Sequence, residues 1–155
     1  MNKILLEGRT AVVTGAGQGI GEAIARRLAD FGASVIITDI NAEKGEAVAA
    51  SIRAEGQNAE FRRLDVTDFD HLRDNIFALR EVYGRIDIWV NNAGITGTAR
   101  VDEITLEDWD RMQTLDIKSV FFCTQAVYEI MKEQNYGKLV HISSMAGERG
   151  GRSSS

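Results

Sequence analysis

The stretch that most constrains what this chain can fold into is Thr14-Gly15-Ala16-Gly17-Gln18-Gly19-Ile20-Gly21. Arg9-Thr10-Ala11-Val12-Val13 before it is a short run rich in β-formers. After it, Ile20, Ile24 and Leu28 fall four apart on one helical face. The glycines therefore stand where a buried strand turns into a helix. Such a turn points free backbone N–H groups and the positive end of a helix dipole outward, which suits a phosphate. Gly allows the close approach that a side chain would prevent. The spacing of Gly15, Gly19 and Gly21 is G-x-x-x-G-x-G. Gly17 does not complete G-x-G-x-x-G, because position 20 is Ile, and no Gly-Lys-Ser/Thr follows to make a P-loop. Taken alone, the glycines also fit a plain βα turn with no ligand.

The rest of the chain alternates strand and helix. Phe31-Gly32 ends the first helix, with Gly as a C-cap. Ser34 to Thr38 is a β-branched run that leads to Asp39. Asn41 caps a second helix carrying Val48 and Ile52, which Gly56 stops. Ala59 to Leu64, with Arg62 and Arg63, reads as an edge strand and leads to Asp65-Val66. Thr67 and Asp70 suggest a capping box for a third helix with Leu72, Ile76 and Leu79, ended by Gly84. Ile86 to Val90 is a buried strand before Asn91-Asn92-Ala93-Gly94. Thr105 and Asp108 cap a long fourth helix whose apolar residues, from Trp109 and Met112 to Ile130 and Met131, exceed one stripe; such a helix is covered on more than one side. Gly137 ends it. Lys138 to Ile142 is a fifth strand before Ser143-Ser144, and the Gly-, Ser- and Arg-rich remainder reads as loop.

Strands separated by helices require right-handed crossovers, hence an α/β, doubly wound parallel sheet. Thr14-Gly15, Asp39, Asp65, Asn91-Asn92 and Ser143-Ser144 each follow a strand, so all five collect at the carboxyl edge, where such sheets bind ligands. Asp39 comes 18 residues after Gly21, near the interval of about 20 at which an acid meets the adenosine ribose hydroxyls. A carboxylate there repels a 2′-phosphate. No Lys or Arg occupies Ile40, Asn41 or Gln18, so the pattern favours NAD over NADP. A solvated Asp at a strand end is the bland alternative.

Composition closes off other classes. A net charge of −5 argues against a general binder of nucleic acid or anionic membrane. Cys123 is the sole cysteine, so there is no disulfide framework or cysteine-based metal site, and no metal is expected. No apolar run reaches spanning length and the first residues do not read as a signal peptide, so the expected location is cytoplasmic.

Taken together, the Gly-rich turn, Asn91-Asn92-Ala93-Gly94 and Ile142-Ser143-Ser144 resemble the short-chain dehydrogenase/reductase family, from about Leu6 to the end of the chain. The turn matches T-G-x-x-x-G-x-G at Thr14, Gly15, Gly19, Ile20 and Gly21. Asp65-Val66 matches the family's adenine-site D-V, and Asn91 to Gly94 matches N-N-A-G, whose backbone lies along the cofactor. Ser144, followed by Met145, Ala146 and Gly147, matches the catalytic serine. The resemblance implies a Rossmann-like sheet of order 3-2-1-4-5, with the family's later strands absent. It implies cofactor contacts at Thr14, Gly15, Gln18, Gly19, Ile20, Gly21, Asp39, Ile40, Asp65, Val66, Asn92, Ala93 and Gly94. It also implies hydride transfer between NAD and a secondary alcohol or ketone.

In that family a Tyr takes the hydroxyl proton, a Lys four residues on lowers the Tyr pKa, and the serine steadies the substrate oxygen. Two departures stand out. Aligning on Trp109 and Phe121-Phe122 puts Asp116 at the family's catalytic Asn. An ionised Asp only accepts, where Asn also donates; a water relay to the Lys or a plain helix position both remain open. The Tyr-x-x-x-Lys would lie past Ser155. Tyr136 has Val140 four residues on, and Tyr128-Lys132 falls inside the fourth helix as an i, i+4 coincidence. The expectation is a chain truncated before the active-site helix, a single dinucleotide-binding domain inactive by itself. The alternative is a non-catalytic nucleotide-binding module. An S-adenosylmethionine methyltransferase also uses a Gly-rich βα turn, but Asn-Asn-Ala-Gly and Ser-Ser speak against it. The uncovered fourth helix suggests a homo-oligomer, dimer or tetramer.

Overall fold

A computed structural model describes residues 5–97 and 99–144. Met145, Ala146 and Gly147, and the rest of the expected terminal loop, lie outside the described residues. The elements run β1 (Thr10–Thr14), α1 (Gly19–Asp30), β2 (Ser34–Asp39), α2 (Ala42–Ala54), β3 (Ala59–Arg63), α3 (Leu72–Tyr83), β4 (Ile88–Asn91), α4 (Leu106–Met112), a π-helical turn (Gln113–Lys118), α5 (Ser119–Glu133) and β5 (Lys138–His141). The strands form one parallel sheet in the order β3-β2-β1-β4-β5. That is the order the resemblance implies, with β3 at one edge as read from its two arginines.

The central strand β1 is buried along its whole length. Its residues alternate between two cores, as strand geometry requires. Ala11 and Val13 join Val35, Ile37, Val48 and Ile52 under α1 and α2. Val12 joins Ile36, Ile76, Trp89, Val127 and Ile130 under α3 and α5. Each face of the sheet is thus covered, which fixes strand register: Val12 lies opposite Ile36 on one side and Trp89 on the other. Side-chain capping holds α2, where Asn41 accepts from the Lys44 amide, and α4, where Thr105 and Asp108 form the expected capping box.

Several local expectations fail for physical reasons. The Thr67–Asp70 box does not form. Asp65 accepts both the amide and the hydroxyl of Thr67, so α3 starts later, after His71, without a side-chain cap. Gly137 does not end α5; the reversal comes at Asn135, which takes a left-handed φ of 52° that Asn tolerates. A Cβ at Gly137 would instead run into Met131. The β4 strand begins at Ile88 rather than Ile86: the Ile86 amide and carbonyl are taken by the Gln134 side chain, while the Asp87 backbone still bonds Thr10 and Lys138 on either side.

The long fourth helix is not uniform. Its middle opens into the π turn, and the Ser119 hydroxyl donates to the Leu115 carbonyl (2.5 Å) four residues back. Within this chain part of it stays uncovered: Trp109, Ile117 and Phe121 are 55%, 58% and 61% exposed. Among the described residues, no helix is long and apolar enough to cross a membrane.

At the amino edge of the sheet the side chain of Asp87 is fully buried. It accepts from the Thr10 amide (2.9 Å), Arg9 (3.0 Å) and Arg85 through two bonds (both 2.6 Å). Burial pushes its pKa up, but the bonds from Arg85, Thr10 and Arg9 outweigh that and hold it below the ordinary carboxylate value. Gln134 spans the same end of the sheet, accepting from the Ile86 amide and donating to the Ile86 carbonyl.

Candidate active site: the carboxyl-edge cleft

The first turn of α1 opens the site. Gly15 and Gly19 take left-handed φ values of 62° and 61°, which only Gly adopts without strain. A Cβ at Gly19 would meet nothing within 4 Å, so that position faces open space. A Cβ at Gly21 would stand 2.4 Å from the Gly15 carbonyl and from the Asn92 side chain. Gly21 lets α1 sit on the sheet, and Gly19 leaves room for a ligand at the helix N-terminus. Gln18 precedes α1 without capping it by its side chain. The first amides of the helix therefore lack intrahelical acceptors and point toward the cleft.

The cleft holds about 860 Å³, ample for an extended small ligand. Of the thirteen residues expected at a cofactor, all but Thr14 line it. Thr14 is 1% exposed. Its hydroxyl donates to the Val90 carbonyl and accepts from the Asn92 and Ala93 amides, at 3.2, 3.0 and 3.0 Å. Asn92 in turn donates from its side chain to the Thr14 and Gly15 carbonyls. These bonds join the loop after β1 to the loop after β4 and make one floor of them.

The acids differ in their settings. Asp39 Oδ2 accepts from the Gly17 amide and Oδ1 from the Asn41 amide, both at 2.9 Å. Its carboxylate is held at the cleft rim with lone pairs still free for a hydroxyl. Asp65 is held below the ordinary carboxylate value, chiefly by the Thr67 hydroxyl, whose bond measures 2.7 Å. Lys44, from the first turn of α2, reaches back to the Gly-rich turn, its Nζ 2.5 Å from Gln18 Oε1. Lys44 is not adjacent to Asp39 in sequence, and the first turn of α2 brings it to the rim.

The expected catalytic pair is not among the lining residues. Ser144 stands three residues past the end of β5. Asp116 lies in the π turn and accepts from the Ile95 amide (2.9 Å), with its Oδ1 3.1 Å from where a Cβ on Gly94 would be. It grips the loop after β4 from behind. The far wall comes from residues that sequence reasoning did not single out: Ile95, Glu107, Asp110, Arg111, Thr114 and Leu115. Ile95 continues the loop after β4, and the others lie on α4 and the π turn, where no motif marks a ligand contact. Among the described residues, no group of His, Cys, Asp and Glu could hold a metal.

A parallel sheet of this order, with open space at a helix N-terminus, an acid after the second strand and a cleft at the carboxyl edge, is a doubly wound α/β fold of the kind that binds ligands at that edge. The chain belongs to the short-chain dehydrogenase family, whose model matches residues 9–155. It is 40% identical over 143 residues to gluconate 5-dehydrogenase of Gluconobacter oxydans (strain 621H), covering 92% of this chain and 56% of that relative. It is 39% identical over 140 residues to a 3beta-hydroxysteroid dehydrogenase of Mediterraneibacter gnavus, covering 90% and 50%. Among solved structures, the crystal structure of a gluconate 5-dehydrogenase from Burkholderia cenocepacia J2315 in complex with NADP and tartrate superposes with a TM-score of 0.88 at 38% identity, covering 94% of this chain and 57% of that one. The chain thus spans about half the length of such relatives.

Proposed function

We propose that this chain is the cofactor-binding part of an NAD-dependent oxidoreductase that moves hydride between a secondary alcohol or ketone and nicotinamide. The observation that carries the cofactor choice is Asp39, fixed at the cleft rim by the Gly17 and Asn41 amides. Its fixed carboxylate suits a ribose diol and opposes a 2′-phosphate. The fit of a dinucleotide is supported by the open space at Gly19 and the free first turn of α1. Gly19, Ile20 and Gly21 would hold the pyrophosphate. Asp65 and Val66 would flank the adenine. Asn92, Ala93 and Gly94 would run beside the ribose and nicotinamide. The bound cofactor supplies the hydride acceptor.

Ser144 would donate to the substrate oxygen and steady its developing charge. Asp116 would act from behind, holding Ile95 and so Gly94 in place. Among residues 1–155 no Tyr-x-x-x-Lys follows Ser144, so no proton-transfer pair is assigned within them. The exposed Trp109, Ile117 and Phe121 support a homo-oligomer built on α4 and α5, and the composition supports a cytoplasmic setting. Titrating NAD and NADP into one preparation tests the reading. NAD is expected to bind at least about tenfold tighter, one step of 1.4 kcal/mol; equal or tighter NADP binding would refute it.

A second reading, NADP use, is favoured by Lys44. Its ammonium touches only the neutral Gln18 amide and no carboxylate within ion-pair reach among the described residues. Two solved neighbours, the Burkholderia enzyme and a metagenomic short-chain oxidoreductase (35% identity, TM-score 0.85), were crystallised with NADP. The same titration on Lys44→Ala separates the two: loss of NADP binding alone marks Lys44 as a 2′-phosphate partner.

A further inference from the structure

The ends of β4 and β5 carry the loop of Asn92 to Gly94 and the segment leading to Ser144. They meet at one register position, Asn91 opposite His141. Asn91 holds both. Its carbonyl accepts from the Ile142 amide (2.9 Å). Its side chain stands in a short relay from the buried core to the strand end. Trp89 is fully buried, and its indole N–H can only donate. It donates to Asn91 Oδ1 at 2.8 Å, which fixes which way the amide faces. Asn91 Nδ2 must then point at Thr124 Oγ1 (3.2 Å) and at His141 Nδ1 (3.0 Å). With one hydrogen for each, both partners accept. An imidazole that accepts at Nδ1 carries its proton on Nε2. A doubly protonated ring would set N–H against N–H.

We propose that His141 is a positioning residue, held neutral with its proton on Nε2, which fixes the segment leading to Ser144 against the cofactor-side loop through Asn91 and Trp89. The functional half rests on the dehydrogenase reading above; the structural half does not. Of the ends of these two strands, His141 supplies the one side chain on β5 that reaches Asn91. A small displacement of the serine segment relative to the cofactor-side loop would misalign donor and acceptor, and misplacement of about 1 Å can cost roughly a hundredfold in rate.

The test uses the full-length protein. Residues 1–155 contain two histidines, His71 and His141, and His141→Asn assigns the second in ring-nitrogen NMR spectra. The expected spectrum at neutral pH has His141 bare at Nδ1 and protonated at Nε2. A proton on Nδ1, or on both nitrogens, would overturn the proposal. In turnover assays His141→Phe should lower kcat roughly ten- to a hundredfold with the cofactor KM unchanged. His141→Asn, whose side-chain oxygen can accept from Asn91, should recover most of that loss. Wild-type turnover in His141→Phe, or no recovery in His141→Asn, would also overturn it. If His141→Phe does not fold, the spectrum and the Asn variant decide. If no substrate is turned over, the dehydrogenase reading is what fails, and the spectrum still tests the relay.

Discussion

The two edges of the sheet treat their acids in opposite ways. At the amino edge Asp87 is buried and surrounded by donors: one backbone amide and two guanidiniums. At the carboxyl edge Asp39 has two amides, faces an open cleft and keeps acceptor capacity. A saturated carboxylate can only stabilise; an incompletely satisfied one at a rim can bind. The contrast separates structure from function where residue type alone does not, since both are aspartates beside parallel strands.

The largest effect that would break this comparison concerns the amino edge. Asp87→Ala strands the Thr10 amide and removes two ion pairs. Because Arg9 and Arg85 are 35% and 43% exposed, their share is screened by solvent, and the expected loss is roughly 2–4 kcal/mol. Urea melts measure it, and the NAD/NADP affinity ratio should not change. A change in that ratio would mean the two edges are not separate.

Next comes Gly21→Ala, which drives a methyl into the Gly15 carbonyl and should cost roughly 1–3 kcal/mol of stability. Unlike the Asp87 change, it should weaken the dinucleotide as well, read by calorimetric titration. Asp39→Ala follows: stability nearly unchanged, and the NAD preference narrowed about tenfold. A preserved preference would move specificity elsewhere on the rim.

The smallest effect is in pH. The folded-state pKa of Asp87 lies below its unfolded value. Its contribution is therefore whole above about pH 4 and is lost as the pH falls through the folded value. The stability gap between wild type and Asp87→Asn should shrink between neutral pH and about pH 3; a gap that widens on acidification would reverse the assignment.

The sequence carried the fold well because period and punctuation repeat. Runs of Val and Ile mark strands buried on both faces, and Gly32, Gly56 and Gly84 close helices where φ turns positive. The rim acids were legible for the same reason, since a strand end is a place one can count to. The Asp87 clasp was not, because Arg9 lies 78 residues away and no local pattern links them. Lys44 on Gln18 and His141 on Asn91 are likewise contacts of topology. Thr67 misled because its hydroxyl had a nearer choice in Asp65 than a helix to cap.

The π turn at Gln113–Lys118 has a further consequence, which is angular. One residue inserted into an α-helix rotates everything after it by about 100°. The turn therefore works as a phase shifter between α4 and α5, setting the direction in which each faces the sheet. Removing a single residue from it would let the two join as one regular helix of nearly the same length. The cleft wall at Arg111 and the core contacts of Val127 and Ile130 could then no longer both face inward, although every side chain in them would be unchanged.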